Sequence, residues 1–168
     1  TQGPVVGQFE DGFKDIVGAE YAVAVANGTM ALHLSLLALG IGPGDEVITT
    51  PNSFLATANA ILYVGATPIF VDIEMNQFGI DATKIEAAIT NKTKAIIPVH
   101  FAGFPVDLDA IEKIAKKYNL KIIEDACESL GAEYKNKKIG TFGDASFFSF
   151  DFAKIITTGE GGMCVTDS

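Results

Sequence analysis

Apolar positions follow two alternating patterns along the chain. Short runs rich in Val, Ile and Phe recur at 21–26 (YAVAVA), 46–50 (EVITT), 67–73 (TPIFVDI), 94–101 (KAIIPVHF), 121–127 (KIIEDAC), 144–150 (DASFFSF) and 161–166 (GGMCVT), and each predicts a strand. Segments of helical period lie between them. In 29–40, Leu32, Leu36 and Leu39 share one face and Gly40 marks a stop; 54–65 predicts a second apolar helix ending at Gly65. Asp81 is placed to cap ATKIEAAIT. Asp107 is placed to cap an amphipathic helix over 106–119, where Leu108, Ile111, Ile114 and Tyr118 align. Strands that alternate with helices predict an α/β fold, three layers deep, around a mostly parallel seven-stranded sheet. With no internal repeat and no linker, the 168 residues read as one domain.

Composition narrows the class. Apolar residues make up 48% and charged residues 20%, a balance that belongs to globular rather than disordered chains. No apolar run reaches the length of a membrane span. The opening TQGPVVGQFE has neither a basic start nor an apolar stretch and does not read as a signal peptide. A formal net charge of −9 argues against a nucleic-acid partner. Lys113, Lys116, Lys117, Lys121, Lys135, Lys137 and Lys138 crowd one region, which reads as a solvated helix face and loop. Cys127 and Cys164 form no CxxC pair, and His33 and His100 are the only histidines; this suggests a reducing compartment and no metal site.

In parallel sheets, ligands gather beyond the carboxyl ends of the strands. Five features are expected there: Asn27-Gly28-Thr29, Asn52-Ser53-Phe54, His100, Asp125, and the segment Ser149–Lys154. Asn27-Gly28-Thr29 ends a strand and opens a helix, where free N–H groups beside a glycine suit a phosphate; capping alone would also explain it. No P-loop or GxGxxG motif is present. Lys154 is flanked by Phe152, Ala153, Ile155 and Ile156, just before a Gly-rich turn. Scarce water there would turn an ammonium into a nucleophile or base, whereas a lysine with a covered stem and wet head would be ordinary. Asp125 ends an apolar strand, where a carboxylate wants a cationic partner or caps a loop. A Schiff-base lysine, a phosphate cradle and an Asp for a protonated ring nitrogen together describe a site for pyridoxal 5'-phosphate (PLP).

The chain resembles the DegT/DnrJ/EryC1/StrS family of sugar aminotransferases, a branch of fold-type I PLP enzymes. The resemblance runs in family order through GPVVGQFE, YAVAVANGTMALHLSLLALGIGPGDEVITTPNSFLATANAI, GATPIFVDI, IIPVHFAG, EDACESLGA, GTFGDASFFSF and KIITTGEGG. It implies that residues 1–168 are the PLP-binding large domain, that a small C-terminal domain and a short N-terminal stretch are missing, and that this segment alone is inactive. It also implies a cytoplasmic homodimer with active sites between subunits. Carried over by position, Lys154 matches the lysine that holds PLP; Gly28, Thr29 and Ser149 match its phosphate contacts; Phe54 matches the aromatic stacked on the ring; and Asp125 matches the partner of the ring nitrogen. Glu128 stands beside the 3-oxygen where many members have Gln, and Ile155 stands where many have Asn. Lys154 favours transamination over dehydration, since dehydrating relatives carry His there. The implied reaction moves an amino group from an amino acid, glutamate, to a keto group of a nucleotide-linked sugar. Alternatives are another carbonyl substrate such as a cyclitol, or a PLP-binding regulator without turnover.

Overall fold

The computed structural model describes residues 3–168; Thr1 and Gln2, the first two residues of the opening stretch read above, lie outside the described residues. The elements run α1 (Pro4–Val17), β1 (Tyr21–Val25), α2 (Gly28–Ala38), β2 (Glu46–Thr49), α3 (Ala56–Tyr63), β3 (Thr67–Phe70), α4 (Ala82–Ala88), β4 (Thr93–Ile96), α5 (Leu108–Tyr118), β5 (Lys121–Asp125), a hairpin β6 (Glu133–Tyr134) and β7 (Lys137–Lys138), then β8 (Ala145–Ser149) and β9 (Gly162–Thr166). The main sheet has seven strands in the order β1-β9-β8-β5-β4-β2-β3. β9 runs antiparallel to both neighbours, β1 and β8; the other pairs are parallel. Six strands therefore end at one edge, and β9 alone points away from it.

Each strand of the sheet interior buries side chains on both faces. Ile122 and Phe148 join α1, α4 and α5 in one core, through Phe13, Val17, Ile85, Leu108, Ile111 and Ile114. Ile123 and Phe147, the next or preceding residues, join α2 and α3 in a second core, through Leu32, Leu36 and Ile61. The period of two sends alternate residues to opposite cores, which is how one sheet supports the three-layer arrangement. The Phe13 ring meets Phe148 and Phe150 edge to face, at centroid distances of 4.9 and 5.4 Å.

Several boundaries differ from the periodicity. Pro98 has no N–H to give a ladder, so β4 stops at Ile96, and Val99 keeps only an isolated bridge to Asp125. Helix α3 begins at Ala56, leaving Ser53 and Phe54 in the preceding loop. Periodicity does not predict helix α1, because Gly7 and Gly12 dilute its apolar pattern, although Pro4 opens it and Gly18, at φ 84°, closes it. The β6–β7 hairpin turns on Lys135 and Asn136, both at positive φ, without the Asn-Gly pair that would signal such a turn. Asp81 and Asp107 cap α4 and α5 as expected, accepting from Thr83 N–H and Ala110 N–H.

The lysine-rich region is a solvated face. Lys117 pairs with Glu86, Lys121 with Asp144, Lys135 with Asp109 and Lys138 with Glu133, all at the surface. Glu124 is different: it is fully buried beneath the sheet edge. Its carboxylate accepts from His100 Nε2, Gly140 N, Phe142 N, Gly143 N and Ser146 Oγ. Burial works to raise this carboxyl, but the hydrogen bond from His100 and the backbone donors outweigh it and hold the group below the usual carboxylate range. Among the described residues, no helix is long and apolar enough to cross a membrane.

Candidate active site

The carboxyl ends of β1, β5 and β8 meet at the start of α2. Asn27 is extended there, and its side chain accepts from Met30 N–H at 2.9 Å. The helix cannot satisfy the N–H groups of Gly28 and Thr29, which remain at its positive end. Gly28 is buried against β8: a Cβ at this position would lie 2.8 Å from Ser149 Cβ and 3.4 Å from Cys127 Sγ. A glycine is needed for this approach, and the approach sets the Ser149 hydroxyl beside the free N–H groups. Gly162 of β9 seals the turn from behind, where a Cβ would come 2.4 Å from the Asn27 carbonyl. All 12 cationic residues of the chain are lysines, so the cradle offers N–H and hydroxyl donors rather than guanidinium.

Asp125 closes β5 and is buried. It accepts from Thr57 Oγ1 at 3.1 Å and from Cys127 N–H at 3.2 Å. No lysine pairs with it among the described residues, and burial pushes its carboxyl up, only partly opposed by those hydrogen bonds. Ser53 Oγ lies 2.8 Å from Thr57 Oγ1, so a hydroxyl relay ties the loop carrying Phe54 to the buried acid. Phe54 itself is 78% exposed and presents an open aromatic face. Thr57 and Cys127 are site residues that pattern reading missed. Thr57 looks like an ordinary helical position until α3 is packed on the end of β5.

The chain matches the model of the DegT/DnrJ/EryC1/StrS aminotransferase family over residues 1–168. It belongs to that family. It is 52% identical over 165 residues to GDP-perosamine synthase of Caulobacter vibrioides, covering 98% of this chain and 44% of that protein. Among solved structures, it superposes on NtdA of Bacillus subtilis with bound cofactor PMP at a TM-score of 0.94 and 44% identity, over 100% of this chain and 38% of that one. It superposes on 3-amino-5-hydroxybenzoic acid synthase at a TM-score of 0.96 and 38% identity, over 99% of this chain and 42% of that one. The chain thus spans less than half the length of these relatives.

Within this family fold, three expectations about the site are corrected. His100 is fully buried and turns to Glu124, so its imidazole does not share the edge with Asp125. The alternating pleat explains this, since Glu124 and Asp125 face opposite ways. Asn52 is likewise occupied, donating to the Phe78 carbonyl at 2.9 Å. Lys154 is not enclosed by its apolar neighbours. Phe152, Ile155 and Ile156 are 80%, 67% and 44% exposed, because the segment between β8 and β9 lies on the surface. What faces Lys154 Nζ is Glu128 Oε1 at 3.8 Å, and Lys154 N–H closes a turn onto the Asp151 carbonyl. Burial pushes the Cys127 thiol well up, the Asp125 charge adds to this, and Lys154 only partly offsets it, leaving a neutral, unreactive thiol between acid and lysine.

Proposed function

We propose that the full-length protein is a PLP-dependent aminotransferase that moves an amino group from an amino acid, glutamate, to a keto group of a nucleotide-linked sugar. The observation that carries this reading is the convergence of three parts at one sheet edge: the donor cradle of Gly28, Thr29 and Ser149, the buried Asp125 without a paired lysine, and Lys154. The chain's groups fit the cofactor. The free N–H groups of Gly28 and Thr29 beside the Ser149 hydroxyl suit a phosphate, and a carboxylate raised by burial wants a cation such as a pyridinium. When bound, PLP supplies a protonated ring that accepts electrons from the substrate carbon. Asp125 would hold the ring-nitrogen proton, Phe54 would lie against the ring, and Glu128 would stand near the 3-oxygen. Lys154 would hold the cofactor covalently, then move a proton with Nζ as base and as acid.

Each phosphate hydroxyl should be measurable. Thr29→Val and Ser149→Ala are each expected to weaken PLP retention about tenfold or more, the value of one charge-assisted hydrogen bond. Dialysis followed by absorbance of retained cofactor checks this, and equal retention in variant and parent would refute the cradle.

The substrate class is supported by the relative named GDP-perosamine synthase. The likeness to 3-amino-5-hydroxybenzoic acid synthase favours a second reading, amination of a cyclic carbonyl that is not a nucleotide sugar. A screen of full-length protein with glutamate against nucleotide ketosugars and cyclic ketones separates them. Turnover of a ketosugar supports the first reading, turnover of only the cyclic ketones supports the second, and PLP binding without turnover of either supports a regulator. We assign residues 1–168 to the cofactor-binding large domain of a homodimer. Support for the dimer is the outward apolar face of α2 and α3, with Leu34, Leu37, Leu62 and Tyr63 exposed. The two free thiols are consistent with a cytoplasmic setting.

A further inference from the structure

We propose that the loop from His100 to Val106 is a positioning device for Lys154, with Glu128 as the residue through which it acts. This rests on Lys154 being the cofactor lysine, and it concerns residues to which the reading above gives no such role. The loop is closed on itself by His100. Its Nδ1 accepts from Val106 N–H at 3.3 Å, so the imidazole proton sits on Nε2 and is donated to the buried Glu124 at 3.2 Å. His100 N–H donates to the Asp125 carbonyl, and the His100 carbonyl accepts from Gly103 N–H. The His100 end of the loop is thus fastened to β5 at Glu124 and Asp125, and the Val106 end is fastened to the His100 ring.

Inside this closed loop, Ala102 is held at φ 51° and ψ 25°. A residue with a Cβ is strained there, and such strain persists only where the surroundings impose it. The imposed geometry aims Ala102 N–H at Glu128 Oε2, at 2.8 Å. The other oxygen of the same carboxylate faces Lys154 Nζ at 3.8 Å. Gly103 packs behind, where a Cβ would meet the Glu128 carbonyl at 3.4 Å. Glu128 is 44% exposed in its side chain and has no other fixed partner among the described residues. Without the Ala102 N–H, its carboxylate would be free to rotate away from the lysine. The contacts run from the buried Glu124 to His100, to the strained turn, to Glu128, to Lys154.

The test reads the lysine in the cofactor-free, full-length protein by competitive acetylation and mass spectrometry, with the exposed and unpaired Lys113 of α5 as reference. Glu128→Gln should raise Lys154 labelling relative to Lys113 by about two- to fivefold, the factor expected on releasing a partly exposed ion pair. Ala102→Val should raise it in the same direction, because a β-branched side chain rejects positive φ and the peptide must turn off Glu128. Ala102→Gly keeps the N–H and relieves the strain, so it should label as the parent does. His100→Gln keeps a donor for Glu124 but has no acceptor at the position of Nδ1 for Val106, and should shift labelling like Ala102→Val. Combined with Glu128→Gln, either variant should add nothing more, as for residues acting along one line. Parental labelling in folded Ala102→Val, or additive effects in the double variants, would overturn the proposal; if His100→Gln does not fold, Ala102→Val decides. Preincubation with PLP should protect Lys154 in the parent. Missing protection overturns the cofactor assignment, independently of whether the loop and the lysine are coupled.

Discussion

Lys154→Ala should abolish transamination while leaving the fold intact. Loss of the proton shuttle alone is expected to slow the reaction by about 10²–10⁴-fold, and loss of the covalent link adds to it. The fold should not notice. The side chain stands on a surface segment between β8 and β9 and makes one partly exposed ion pair, with Glu128. Removing such a pair changes stability by at most about 1 kcal/mol. Borohydride reduction of the parent should fix the cofactor on Lys154, and reduction of the variant should fix none. The variant should still retain PLP through the cradle and Asp125, with a thermal midpoint near the parent's. A borohydride label on another lysine, or a residual rate within tenfold of the parent, would remove Lys154 from its role.

Most of the fold was legible because its signals are local. Apolar runs such as KIIEDAC and DASFFSF bury both faces, and caps such as Asp81 and Asp107 act within a few residues. Less local features were harder to read. Thr57 touches Asp125 across 68 residues of sequence, and nothing in its own neighbourhood marks that contact. The side-chain direction of His100 depends on Pro98 ending regular pairing and on the pleat of β5, so position alone placed it at the correct edge with the wrong face. The neighbours of Lys154 were apolar as read, but composition cannot say whether an apolar segment folds inward. Here the strands on both sides leave it outside, and Glu128 rather than an apolar wall faces the amine.

Asp125→Asn should move stability and activity in opposite directions. Without a cofactor, Asp125 is a buried carboxyl raised by burial and only partly compensated by Thr57 and Cys127. A carboxyl whose folded value lies above its unfolded value, about 3.9, stabilises the fold fully below that value. That contribution is lost as pH rises through the folded value, so at neutral pH the charge is a burden on the cofactor-free protein. Asparagine keeps an oxygen for Cys127 N–H and carries no charge. The cofactor-free variant should therefore be more stable than the parent at neutral pH, by on the order of 1 kcal/mol, or roughly 2–4 °C in thermal midpoint. The difference should vanish near pH 3, where the parent's acid is neutral in both states. With PLP bound the sign reverses, because the carboxylate then faces the ring-nitrogen proton. Breaking a buried charge pair costs about 3–5 kcal/mol, so single-turnover proton transfer should slow by roughly two to four orders of magnitude. Thermal scans of cofactor-free protein at neutral and acid pH, with single-turnover rates of the loaded enzyme, check both halves. An unchanged rate would refute the pairing of Asp125 with the ring. A variant no more stable than its parent at neutral pH would show that Thr57 and Cys127 already compensate the charge.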